Sequence, residues 1–385
     1  MLVTRLGCLA RFAVGSALLA WCAFVPGCAP RDAGAPVVPD AAVPAADSAA
    51  VANATVKVIA FDEAQAVLEG IAAGTVVGTV VQNPFQYGYE SIRTLHAIKG
   101  GDEKAVPESH FVNIPARVVL QDASRGEFAG ATVVAVDAFK EELRQLLSGD
   151  SPSSSTEKPD YAFITNGVAD FWTIGKAGAE KAASDLGVKA TVIMPSSITD
   201  QTRKIEDLLT RGTDGIAISP INPGNQGEIL EKAAAATTLI THDSDAPESP
   251  RRLYIGMDNY EAGLVCGKLT RDALPDGGKV MIFIGRLDQD NAQRRRQGCI
   301  DGILGREPDA SRRDDPGAVL HSEDGRYTIL GTMTDQFDRA KAKANAEDAL
   351  LRHPDVAAMV GLFEYNPPLI LEALERAGRL ERPSP

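Results

Sequence analysis

The chain predicts an α/β protein built as two doubly wound parallel-sheet lobes with a cleft between them. Three observations lead there. At 385 residues the chain is too long for one ordinary core and suits two lobes. From residue 161 onward, short apolar runs rich in β-branched residues alternate with helical patterns. Those runs are continuously apolar rather than alternating, as expected of parallel strands covered on both faces.

In chain order, Arg5 and Arg11 precede an apolar run from Phe12 to Val25. It is too short for a comfortable membrane span and reads as a signal peptide. The run ends in VPGC, where a small residue before Cys28 marks a lipobox whose cysteine becomes lipidated, although Pro26 is unusual there. Residues 29–55 are rich in Ala, Pro and Asp, cannot bury a core, and are expected to form a disordered tether. The segment VKVIAFDEAQAVLEGIAAGTVVGTVVQ, 56–82, opens a stretch, 56–150, of two strands and one or two helices, a poor core for a separate small domain. The Ser/Pro-rich SGDSPSSSTEKPD, 148–160, is a linker. Strands then follow at YAFIT (161–165), TVIM (191–194), GIAIS (215–219), TLITH (238–242) and LYIGM (253–257). A second series occupies KVMIFIG (279–285), YTILGT (327–332) and AAMVGL (357–362). Between them, faces such as Ile205, Leu208, Leu209 and Leu369, Ile370, Ala373, Leu374 mark helices. Cys266 and Cys299 lie in helical patterns among apolar neighbours and read as two small buried thiols. Spacing alone leaves a disulfide open.

Net charge is −13, with 44% apolar and 24% charged residues. An acidic surface repels a phosphate backbone, so nucleic acid is disfavoured as a partner. The chain has no GxSxG, P-loop or metal-ligand cluster, so neither an enzyme nor a cofactor is expected. GGDEK at 100–104 matches the signature string of cyclic-dinucleotide synthases, but sits in a loop after a helix without the matching domain.

Ligands of doubly wound sheets bind beyond the carboxyl ends of the strands. Asn166, Asp243, Asn366 and Asp62 each follow an apolar strand there. This polar set suits a sugar. Asp and Asn bridge adjacent hydroxyls, Arg donates in a rigid fork, and aromatic rings cover the C–H face. Phe171 and Trp172 open the helix after YAFIT; adjacent helical residues point about 100° apart, so at least one should face the cleft. His242, Asp243 and Asp245 can also be read as metal ligands, but no second His or Cys stands with them, which favours sugar.

The motifs resemble those of periplasmic sugar-binding proteins of the ribose/galactose type, which have the lac-repressor-like type I fold. YAFITNGVADFW at 161–172 resembles that family's opening segment; Ala169-Asp170 stand in place of its Asn-Pro. The resemblance makes Phe171 and Trp172 a clamp on one side of the ring and Asp243 a ligand for hydroxyls. The arginine that follows this aspartate in the family is Ser244 here, so a forked donor is missing and Asp245 is a candidate replacement. In NAQRRRQG, 291–298, counting back from Gly298 puts Arg295 at the ligand-binding arginine. DQFDRAKA, 335–342, makes Phe337 the stacking ring of the second lobe. Asn366 matches an asparagine ligand, Asp62 the aspartate of a Phe-Asp turn, and Gln82 the last ligand contact.

The order is cyclic. The Phe-Asp turn and Gln82 close the chain in that family, yet here they precede its opening segment. The resemblance therefore implies a circularly permuted protein: 56–82 in lobe 2, 83–114 in lobe 1, 115–147 in lobe 2, 148–160 joining the family's usual termini, 161–258 in lobe 1 and 259–385 in lobe 2. It also implies a monomeric, lipid-anchored periplasmic binding protein for a monosaccharide or similar polyol. The partner would be the membrane permease of an ABC importer, or alternatively a receptor kinase or chemoreceptor. Strand 56–62 is then expected beside strand 357–362, in parallel.

Overall fold

The computed structural model describes residues 54–124, 127–148 and 159–380. Cys28, the signal peptide, almost all of the tether and most of the linker lie outside them.

Two sheets organise the chain. The first has eight strands in the order β12-β13-β11-β14-β1-β2-β4-β5. These are β1 (Lys57–Phe61), β2 (Gly78–Val81), β4 (Arg117–Leu120), β5 (Thr132–Ala135), β11 (Gly278–Ile284), β12 (Leu320–His321), β13 (Tyr327–Thr334) and β14 (Val356–Gly361). The second has six, β3-β10-β9-β8-β6-β7: β3 (Phe111–Asn113), β6 (Asp160–Ile164), β7 (Lys189–Ile193), β8 (Gly215–Ile218), β9 (Thr238–His242) and β10 (Tyr254–Gly256). Every pairing in the six-stranded sheet is parallel. The eight-stranded sheet has two antiparallel pairs, β2–β4 and β12–β13.

The inner strands of both sheets are buried on both faces, which is why they read as continuous apolar runs. Along β1, Val58 and Ala60 enter one core and Ile59 and Phe61 the other. Along β6, Tyr161 and Phe163 face one layer while Ala162 and Ile164 face the opposite one. Helices supply the outer layers: α1 (Gln65–Ala73), α2 (Pro84–Lys99), α3 (Val136–Ser148), α4 (Asp170–Leu186), α5 (Ile198–Arg211), α6 (Gly227–Ala236), α7 (Asn259–Ala273), α8 (Asp290–Leu304), α9 (Arg339–Arg352) and α10 (Asn366–Arg376).

The parallel β14–β1 pairing expected from the sequence is present, with Lys57 opposite Ala358 and Ile59 opposite Val360. β1 thus sits inside the sheet, between β14 and β2. The two ends of the described fold also meet: Val56 N donates to Arg379 O at 3.0 Å, and Arg379 Nε donates to Ala54 O at 2.9 Å.

Among the described residues the chain passes between the sheets three times: after β2, between β3 and β4, and after β10. Glycines allow the closest helix approach near the site. A methyl group on Gly263 of α7 would stand 2.2 Å from Arg295 O, and one on Gly298 of α8 would stand 2.0 Å from Tyr260 O. That contact seats α8, and with it Arg295. Cys266 and Cys299, on these same two helices, are buried free thiols.

Candidate ligand-binding site between the two sheets

A cavity of about 610 Å3 lies where the carboxyl ends of the two sheets face each other. Asp62, Gln82, Asn166, Phe171, Trp172, Asp243, Arg295 and Phe337 all line it. The structure therefore brings together eight of the ten residues singled out in the sequence.

Its inner wall holds two aspartates in matching settings. Asp62 follows β1 and Asp243 follows β9, and both adopt left-handed backbone, at φ 66° and 58°. This region is costly for most side chains and is tolerated best by Asn and Asp. Each strained peptide is pinned by a hydroxyl: Thr79 Oγ1 donates to Asp62 O at 2.7 Å, and the Tyr254 hydroxyl donates to Asp243 O at 2.9 Å. The Asp62 carboxylate accepts from Gln82 Nε2 at 2.9 Å, whose Oε1 accepts from the Tyr87 hydroxyl. The Asp243 carboxylate accepts from Asn166 Nδ2 at 3.1 Å and Ser219 Oγ at 2.9 Å. Burial pushes both carboxyls up to about 6, opposed mainly by the charge of Arg295.

Arg295 is buried, its guanidinium 4.0 Å from the Phe61 ring centre. Its Nε and Nη2 donate to Asn259 Oδ1 at 3.2 and 3.0 Å, and Nη1 donates to Leu362 O at 2.9 Å. With five N–H groups in the fork, two remain for a ligand.

The aromatic walls come from opposite sheets. Trp172 packs edge-on against Phe163 and His242, with its Nε1 donating to Asn166 Oδ1 at 3.0 Å. Phe337, half exposed, stacks on Phe363 with centroids 5.6 Å apart. Phe337 has φ 64°, and its N–H is held by Asp335 Oδ1 at 2.9 Å.

Two singled-out residues stand elsewhere. Asn366 does not line the cavity: its Oδ1 accepts from Phe363 N and its Nδ2 donates to Asp335 Oδ2 at 2.9 Å. It is consumed in holding Asp335, and through it Phe337. Asp245 is locked in an ion pair with Arg251 and accepts from Thr241 Oγ1 at 2.6 Å, so it does not replace the missing arginine. Ser244 is fully buried and off the cavity wall. The residues of the metal alternative are engaged otherwise. His242 stacks on Phe163 with Nε2 3.1 Å from Ile164 O, burial pushes it down to about 3, and no metal-ligand group forms among the described residues.

Sequence reasoning missed several lining residues. Asn291 is almost fully buried on the cavity wall, and its Oδ1 accepts from Ala292 N. The signal was present, because Asn291 precedes Arg295 by one helical turn on the same face. Glu364 was also missed; burial, then Asp62, raises its carboxyl. Beside it, Glu63 has both carboxylate oxygens buried without a hydrogen-bond partner, and burial pushes it well above the usual range.

Two sheets joined by crossing segments and facing each other across a polar, aromatic-walled cavity at their strand ends make the architecture of a ligand-binding protein. A family model described as a periplasmic binding protein domain matches residues 161–384, and the chain belongs to that family. The ribose import binding protein RbsB of Bacillus subtilis (strain 168) is 25% identical over 58% of this chain and 68% of its own length. RbsB of Escherichia coli (strain K12) is 24% identical over 60% and 73%. Among solved structures, an ABC transporter solute-binding protein from Burkholderia graminis C4D1M, in complex with D-arabinose, is 26% identical with a TM-score of 0.50, covering 58% of this chain and 71% of its own. GanP, a glucose-galactose binding protein from Geobacillus stearothermophilus, shares the fold at 23% identity and TM-score 0.51, over 58% and 75%.

Proposed function

We propose that this chain is an extracytoplasmic solute-binding protein that takes a sugar or similar polyol into the cavity and delivers it to an ABC-type importer. One observation carries the reading. Two buried aspartates, one from each sheet, face a common space with Arg295 between their charges and aromatic walls on both sides. Adjacent hydroxyls can donate to both carboxylates and accept from the free N–H groups of Arg295, while ring C–H groups meet Phe171, Trp172 and Phe337. The similarity to ribose import proteins and to a D-arabinose complex supports this ligand class. Hinge closure at the crossings near Gln82, residue 115 and Asp258 would bury the ligand. In this reading 56–82, 115–147 and 259–385 form one lobe, and 83–114 and 161–258 the other.

The same reading makes the chain a circular permutant. It is supported by the seating of β1 between β14 and β2, and by the contact of Val56 with Arg379, which would be near neighbours in the family's order. The curated relatives are matched over only part of their length, which suits a closing segment moved to the front. Cys28 is proposed as the lipid-bearing first residue of a mature, monomeric protein; an unmodified mature N-terminus elsewhere, read by mass spectrometry, would make it simply secreted.

A thermal-shift screen against monosaccharides and polyols, followed by calorimetry, tests the ligand class, because a ligand that binds only the folded state raises its stability. Affinity in about the micromolar range, on the order of −8 kcal/mol, is expected. A flat screen rejects the sugar reading. If sugars bind but a reconstituted permease ATPase does not respond to the loaded protein, the sensor role replaces transport.

A further inference from the structure

The thiols of Cys266 and Cys299 stand at the closest helix contact near the site. Helix axes usually pack about 8–10 Å apart. Between α7 and α8, a methyl group added to Gly263 would stand 3.0 Å from the Gly298 Cα, and one added to Gly302 would stand 3.0 Å from the Gly267 Cα. With about 1.5 Å for the added bond, the Cα atoms of each glycine pair are at most about 4.5 Å apart.

A disulfide asks for Cα separations of about 4.4–6.8 Å. Each cysteine directly neighbours one of these glycines: Cys266 precedes Gly267, and Cys299 follows Gly298. Cys266 also shares a helix face with Gly263, three residues earlier. The two side chains meet. A hydrogen bond with Cys266, then burial, pushes the Cys299 thiol well above its usual range, and both residues are fully buried in one apolar core. A single buried thiol is ordinary packing; two that meet across a glycine-lined contact are placed to be oxidised.

Resting on the extracytoplasmic reading, we propose that Cys266 and Cys299 form an intramolecular disulfide. An oxidising compartment supplies the oxidant, a protein disulfide or oxidised glutathione. One cysteine, as thiolate, attacks that disulfide, releases one thiol and leaves a mixed disulfide; the second thiolate then displaces the other thiol. The new S–S bond costs the cysteines two protons and two electrons, and the oxidant is reduced to two thiols. Burial keeps an oxidant from both sulfurs in the folded chain, so the bond is made while α7 and α8 are still apart. Arg295 lies one turn before Cys299 and donates to Asn259, the first residue of α7. The bond therefore ties together the two helices whose contact seats the site arginine.

The test uses the full mature chain, refolded from the reduced state in a mixture of reduced and oxidised glutathione, alkylated and cut with trypsin. Peptides 253–268 and 297–306 are expected joined, at the sum of their masses less two hydrogens. Protein refolded and kept in reductant should melt several degrees lower, on the order of 5 °C. The double variant Cys266→Ala, Cys299→Ala should melt at one temperature in both conditions, which separates the bond from packing. Both peptides alkylated after refolding in glutathione, or a wild-type melting temperature indifferent to reductant, overturns this inference and leaves ligand binding standing. Peptides joined after refolding but alkylated when the protein is taken directly from cells overturn the extracytoplasmic reading and leave the pairing standing.

Discussion

Asp62 and Asp243 occupy equivalent places on the two sheets, yet their surroundings differ. Both end a strand, both hold left-handed backbone, and both are raised to about 6 by burial. Around Asp243 the partners are neutral donors, Asn166 and Ser219. Around Asp62 the neighbours include two more carboxyls, Glu63 and Glu364, each raised by burial and then by Asp62 itself. The six-stranded side thus presents an acceptor held by neutral donors, whereas the eight-stranded side crowds three acidic side chains whose carboxyls burial and one another push up. Equal geometry does not give equal electrostatics.

The largest expected effect tests the equivalence. Asp62→Ala and Asp243→Ala should each weaken binding by about 2–5 kcal/mol in calorimetry, because ligand hydroxyls and the Arg295 charge would be left buried without partners. Near-normal affinity in either variant breaks the comparison. The next effect is on pH. A ligand donating to both carboxylates favours their ionised forms, so affinity should be level above about pH 7 and fall below 6, by about tenfold per carboxylate at pH 5. Asp62→Asn should remove about half of that slope.

In the empty protein the sign reverses. A raised carboxyl keeps a proton that the unfolded chain has released. Its contribution to stability is therefore present below about pH 4 and lost as pH rises through about 6. Glu63, higher still, should show this most clearly. Glu63→Gln should gain on the order of 1 kcal/mol at pH 7.5, seen as a melting temperature about 2 °C higher, and nothing at pH 4. An equal gain at both pH values would mean that charge is not the cause. The smallest effect concerns Trp172, which is only 3% exposed before any ligand arrives. The passage from a wet to a dry surrounding that an exposed clamp would show is thus already complete. Ligand should change its emission intensity with little spectral shift, and Trp172→Phe should cost about 1 kcal/mol through the lost anchor on Asn166.

Much of this was legible in the sequence. Continuous apolar strands declared parallel sheets, and a polar residue after a strand marked Asp62, Asp243 and Asn166. Asn366 follows the same rule but stands off the cavity wall, because its side chain turns back to Phe363 N of its own loop and reaches Asp335 after β13. Asp245 is also off the cavity wall, its carboxylate taken by Arg251, six residues on. Asn291 was readable from helical spacing. Glu63 was not, because an unpartnered buried carboxylate arises only when α1, α3 and α4 come together around it.

The meeting of Val56 with Arg379 has a mechanical consequence. A pull on the chain ahead of Ala54 does not peel an edge; it enters at β1, which is hydrogen-bonded on both sides, and loads β14 and β2 together. That same strand ends at Asp62. With the lipid anchor proposed at Cys28, tension would be carried through the strand that ends at the proposed ligand group Asp62, and in a force-clamp measurement ligand occupancy should lengthen the time the fold survives under load.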